Sequence, residues 1–206
     1  MNGRTLAALV LSACVFGVGA LVEAQRGGTF MGSVNDPAIK YSTTALNNVV
    51  EDVNRHIESG AVRLEYEGRG GFLRSALEAL QIPLDSQLLV FSRGSLQGKQ
   101  ISERNPRSIY FTDRIALGWV RDGNVLEVAT HDRSAGIVFY TLDQRADLAG
   151  PRTFTRAFEC LGCHRSGDTL GVPGLLMFST TRSDPSSHGN DRVKGSNIST
   201  HPRYHG

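Results

Sequence analysis

Between residues 87 and 143 the chain carries five short runs, QLLVFS, SIYFT, IALGWV, VLEVAT and GIVFYTL. Val, Ile, Phe and Tyr favour a pleated, half-buried backbone. Runs of five to seven residues are long enough for a strand and too short for three helical turns. Turn signals such as Arg121-Asp122-Gly123-Asn124 and Asp132-Arg133-Ser134-Ala135-Gly136 separate the runs. The close spacing of the last three predicts an antiparallel meander.

Two helices are predicted ahead of these strands. Leu46, Val49, Val50, Val53 and Ile57 recur at helical spacing, with Ser42 or Thr43 as the cap and Gly60 as the stop. His56 lies beside that apolar stripe and is read as a surface residue. AVRLEY alternates as a half-buried strand does, EGRGG breaks it, and FLRSALEALQ predicts a second helix ended by Ile82-Pro83. GRGG lacks the Lys-Ser/Thr of a phosphate loop and is read as a turn. The expectation is an α+β fold, with N-terminal helices packed on an antiparallel β-meander over residues 38–145.

The two ends of the chain read differently. Residues 1–24 hold Arg4, an apolar run from Thr5 to Val22, and Val22-Glu23-Ala24, the pattern of a secretory signal peptide cut after Ala24. Membrane association is expected only if that segment stays uncut or if Cys14, in Leu11-Ser12-Ala13-Cys14, is lipidated. Residues 25–37 read as a flexible leader and 181–206 as a polar, mobile tail. A formal net charge of +2, with arginines spread along the chain, leaves no electrostatic footprint for nucleic acid.

Export gives the cysteines their meaning. With Cys14 in the signal, the mature chain keeps only Cys160 and Cys163, in Cys160-Leu161-Gly162-Cys163-His164. An oxidising space penalises stray thiols, so a retained C-x-x-C-H is informative. Two thiols three positions apart face one side of a helical turn and can reach two vinyl groups of a porphyrin. The following His164 can then present its imidazole to the iron as proximal ligand. A redox dithiol would use the same pair at a helix N-terminus within a βαβ setting, and no strand is predicted directly before Phe158. Zinc would need a second pair, and His201 and His205 formally complete a Cys₂His₂ set. His131-Asp132 is read as a turn, and no Ser-His-Asp, H-E-x-x-H or paired-carboxylate pattern stands out.

CLGCH followed by GVPGLL resembles the c-type cytochromes. In that family a Gly/Pro loop packs on the proximal side, and its Pro carbonyl often accepts a hydrogen bond from the proximal histidine. The resemblance implies that role for Pro173 or its neighbours. The stretch QLLVFSRGSLQGKQISERNPRSIYFTDRIALGWV through FYTLDQ is also similar to exported cytochrome-domain proteins of environmental bacteria, which place an α+β segment before C-x-x-C-H. Small domains of this kind use more chain than the 42 residues after His164, which sets the expectation of a truncated C-terminal part.

The resulting expectation is an exported, periplasmic mono-haem cytochrome, an electron carrier rather than an enzyme, working with a redox partner protein. Residues 146–180 form its haem c-binding segment, with thioethers at Cys160 and Cys163. The distal ligand is open among Met177, His188, His201 and His205. The alternatives are a peroxide- or gas-binding haem with an open distal site, and a non-haem C-x-x-C redox or zinc site.

Overall fold

In α1 (Val49–Glu58) the cap explains the start of the helix. Asn48 is extended, with φ −148° and ψ 170°, and its side chain accepts from the backbone N–H groups of Val50 and Glu51. The apolar spacing then buries Val50, Val53 and Ile57, and Gly60 at φ +77° ends the helix in a backbone shape that suits glycine. The cap is therefore Asn48, not Ser42 or Thr43. Those two residues lie in turns over which Thr43 and Thr44 both donate to the Lys40 carbonyl.

A computed structural model describes residues 33–148, 150–166 and 169–175. The signal segment, Cys14 and the 181–206 tail lie outside them. Among the described residues no helix is long and apolar enough to cross a membrane.

The second helix, α2 (Leu73–Ala79), buries Leu73, Ala76 and Leu77. It closes with paired bonds, Ile82 N–H to Leu77 O (2.9 Å) and Gln81 N–H to Glu78 O (3.1 Å), while Gln81 takes φ +56°. This is a left-handed helix stop built on a non-glycine residue. The AVRLEY strand does not form. Leu64 is buried between exposed neighbours, so the alternation is real, but no ladder accompanies it. Ser75 of α2 instead takes both backbone groups of Glu65, each at 3.0 Å.

The meander forms as expected and gains a sixth strand. In sequence and spatial order it comprises β1 (Leu88–Val90), β2 (Arg107–Phe111), β3 (Ile115–Trp119), β4 (Val125–Asp132), β5 (Gly136–Asp143) and β6 (Thr155–Arg156), with every pair antiparallel. Side chains alternate between the two faces of such a sheet. One face carries Tyr110, Ile115, Leu117, Leu126, Val128, Val138, Tyr140 and Leu142, all buried in one cluster with the residues of α1 and α2. The other face carries the register rows Phe111–Ala116–Ala129–Phe139 and Leu88–Ile109–Gly118–Glu127–Thr141.

Asp132, at the end of β4, ties the start of α1 to the sheet. Its carboxylate accepts from Asn47 N–H (2.6 Å), the Asn48 amide (2.9 Å), Ser134 N–H (2.8 Å) and Ala135 N–H (2.9 Å). His131 is exposed, so the pair is a turn device, as the sequence implies.

Candidate functional site

The C-x-x-C-H segment enters the fold through β6, which corrects the expectation that no strand precedes Phe158. Thr155 pairs with Thr141 and Arg156 with Tyr140, and Ala157 N–H donates to Phe139 O at 2.9 Å. Asn54 of α1 holds the approach, exchanging two 2.8 Å bonds with the backbone of Phe154. The Arg156 guanidinium lies 4.5 Å from the Tyr41 ring centre and 4.7 Å from that of Phe158. The strand is antiparallel, so a βαβ dithiol setting is still lacking.

A 3₁₀ turn (Phe158–Cys160) then runs into α3 (Leu161–His164). Cys160 and Leu161 are both in the right-handed helical region, so Cys160 and Cys163 stand one turn apart on the same side. Neither forms a disulfide. Cys160 is half-buried against Ile137, Phe139 and Ala157 on the helix-free face, and Cys163 is exposed. Burial, followed by the nearby carboxylates of Glu159 and Glu127, pushes the Cys160 thiol up to about 12. Redox dithiols need the opposite, an N-terminal thiol poised below its ordinary value.

His164 is held from two directions. Its ring packs on Phe139, with centres 4.7 Å apart and planes at 41°. Its Nδ1 lies 3.0 Å from Gly174 O, and Gly174 N–H returns a 2.9 Å bond to His164 O. A carbonyl can only accept, so Nδ1 carries the proton and the neutral ring keeps its lone pair on Nε2. Among the described residues Nε2 takes no hydrogen bond. Burial holds the His164 pKa below its ordinary value, against the opposing pull of the Gly174 carbonyl. The ring is therefore neutral at neutral pH, the form that ligates metals.

The loop after the motif delivers Gly174 to this position. Gly171 N–H bonds to Ser166 O (2.9 Å), Arg165 Nε donates to Gly171 O (2.9 Å), and Gly171 sits at φ +75°. Pro173 is buried beside Gly174. The carbonyl facing His164 is Gly174's, the immediate neighbour of Pro173. A side chain at 174 would bring its Cβ to 3.1 Å from Thr169 Cγ2, so the close return of the loop suits glycine.

Beyond the turn, the helix-free face carries an ion pair that no sequence motif announced. Arg107 Nη1 donates to Glu127 Oε2 at 3.0 Å, with the two side chains only 18 % and 15 % exposed. Glu127 also accepts from Ser95 Oγ and Leu96 N–H, both at 2.9 Å to Oε1. The Arg107 stem crosses Gly118, its Cδ 3.4 Å from where a Cβ would stand. Arg107 Nε is buried without a hydrogen-bond partner. A buried donor left unmade costs about 1–3 kcal/mol.

Met177, His188, His201 and His205 lie outside the described residues. Among the described residues no three His, Cys, Asp or Glu side chains converge as a protein-built metal cage requires. Haem makes no such demand, because the macrocycle supplies most of the iron's ligands. Two thiols on one side of a turn and a histidine whose Nε2 takes no hydrogen bond among the described residues fit a covalently attached haem. Comparisons with protein-family models, curated proteins and solved structures found no match to this chain.

Proposed function

We propose that this chain is an exported mono-haem c-type cytochrome that exchanges single electrons with a redox partner protein. The carrying observation is the reciprocal clamp between His164 and Gly174, which fixes the imidazole tautomer and, among the described residues, leaves Nε2 without a hydrogen bond. A histidine that ligates a metal commonly donates its other ring N–H to a carbonyl in this way, which fixes the tautomer and orients the ring. Cys160 and Cys163 would hold the group by thioethers. Each sulfur would add to one carbon of a vinyl group, with the thiol hydrogen going to the other, so attachment would need no net oxidation. When bound, the haem supplies an iron that passes between ferrous and ferric states.

This chain's own residues bind, orient and insulate. β6 and Asn54 set the height of the turn, Phe139 supports the His164 imidazole, and the Gly174 carbonyl raises the basicity of that ring by accepting its proton's hydrogen bond. The high pKa of Cys160 disfavours a dithiol that attacks as a thiolate.

The test is production of the full chain alongside the haem-attachment machinery. A c-type absorption band that survives denaturation is expected, lost in Cys160→Ala/Cys163→Ala, and altered in spin state in His164→Ala. A parent chain without that band would sink the proposal. A low-spin spectrum supports electron transfer, while high-spin iron that responds to carbon monoxide would move the reading to a haem with an open distal site.

A further inference from the structure

The sheet begins at β1, whose outer edge pairs with no other strand. Thr112 N–H donates to Ile115 O, so Thr112, Tyr110 and Ser108 bond across to β3, and the alternate residues Phe111, Ile109 and Arg107 face β1. Phe111 N–H indeed reaches Ser86 Oγ, at 2.9 Å. Leu88 and Val90 therefore direct their backbone groups to Ile109 and Arg107. Those of Leu89 point away from the sheet, and the alternation carries that direction to Gln87 and Phe91. Bare edges are commonly guarded by Lys, Pro or a charge, and the chain from Ser86 to Ser92 has none of these. Leu88 is 42 % exposed on one face, with Leu89 at 48 % and Phe91 at 49 % on the other. Just outside this uncharged stretch stand Asp85 and Arg93, both exposed and, among the described residues, in no ion pair. The Arg93–Ile101 excursion folds inward over Glu127 of β4 and leaves the edge accessible.

We infer that β1 is the seam of a symmetric dimer, in which a second copy of this chain lays its own β1 antiparallel along the bare edge. A two-fold axis at Leu89 sets Leu89 opposite itself, Gln87 opposite Phe91 and Leu88 opposite Val90. The outward-facing residues then exchange backbone bonds across the seam. The same centre brings Asp85 of each copy opposite Arg93 of the other. Moving the axis one residue, to Leu88 or Val90, sets Asp85 against Phe91 or Ser95 and loses both ion pairs. An acidic residue before the uncharged stretch and a basic one after it make the segment complementary to its own antiparallel copy. That charge pattern picks out the occupant and the register together. Such a contact is closed, since each copy uses its only β1 edge, and pairing stops at two. Strand pairing over so few residues is small beside a standard interface, so the dimer depends on concentration. None of this rests on haem: β1 and β6 lie at opposite ends of the sheet, and the motif turn that follows β6 stays open in the dimer.

Sedimentation velocity of the full chain over a concentration series tests this, with a monomer–dimer equilibrium expected. Leu89→Lys opposes two ammonium groups at the centre of the seam and is expected to weaken dimerisation several-fold. Its circular dichroism should match the parent, because the side chain is exposed. Asp85→Arg or Arg93→Asp alone opposes like charges at both ends of the seam and is expected to weaken it as well. The double variant Asp85→Arg/Arg93→Asp exchanges the signs and is expected to recover most of the parent's dimer, a rescue that belongs to the Leu89-centred register. Amide exchange gives a second readout. The Leu89 and Phe91 N–H groups should slow several-fold as concentration rises, while those of Leu88 and Val90, already bonded to β2, should change little. A parent that stays monomeric, as it would if the edge served a different partner, overturns the inference. So does a dimer that survives Leu89→Lys, or a double variant that dimerises no better than the single ones.

Discussion

The two faces of the sheet are finished in different ways. On the helix-covered face Leu117, Leu126 and Leu142 have no exposed surface, and the Asn48–Asp132–Tyr140 network satisfies the polar groups that cross it. On the opposite face, cover is local, supplied by the Arg93–Ile101 excursion and the motif turn, with Phe111 and Leu88 left open between them. The first face holds the fold together and the second holds the candidate chemistry. Changes to one should report weakly on the other.

The sharpest separation is expected at Leu126. Truncation to Ala on the closed face removes a fully buried side chain and should cost about 3 kcal/mol. Urea denaturation of the full chain measures this, and protein that remains folded should still attach haem. Loss of attachment from a folded Leu126→Ala protein would break the comparison.

Asp132 comes next. Burial pushes its carboxyl up, but the donors Ala135 N–H, Asn48, Ser134 N–H and Asn47 N–H outweigh that and hold it below the ordinary carboxylate value. A folded-state pKa depressed in this way stabilises the fold fully above the unfolded value of about 4. The stabilisation is lost as pH falls through the lower folded value. Asp132→Asn should flatten that acid limb and cost about 2 kcal/mol at neutral pH, because an amide nitrogen would face donors. An unchanged acid limb in thermal melts from neutral pH downward would remove Asp132 from the account.

The smallest effect is expected on the open face. Phe111→Ser in the haem-free chain should change stability by no more than about 0.5 kcal/mol, as exposed positions do. A loss as large as that at Leu126 would mean that the face is closed, and the contrast between the faces would fail.

Much of this was legible in the sequence because the signals are local. The periodicity of α1 and α2 and the five β-rich runs each follow from near neighbours, and all of them form. GIVFYTL held a further signal. From Ile137 to Tyr140 every residue is buried, whereas β4 alternates, and a strand apolar on both faces must be covered on both. The second cover is the motif turn itself. AVRLEY misled because alternation records burial but not a pairing partner, and Ser75 satisfied the backbone of Glu65 without a ladder. β6 is two residues long, too short for any periodic pattern, and exists because β5 offers an edge.

By itself, the sequence determined the α+β class, the meander and the residues of C-x-x-C-H, because strand runs, turn residues and motif spacing act over a few positions. Tertiary structure alone decided which carbonyl meets His164, since every residue has one and only the folded loop selects Gly174. It also set Phe139 beneath the imidazole and Arg107 beside Glu127, twenty positions apart in the chain. Such partners are chosen by strand register, a property of pairing between distant segments that no local pattern encodes.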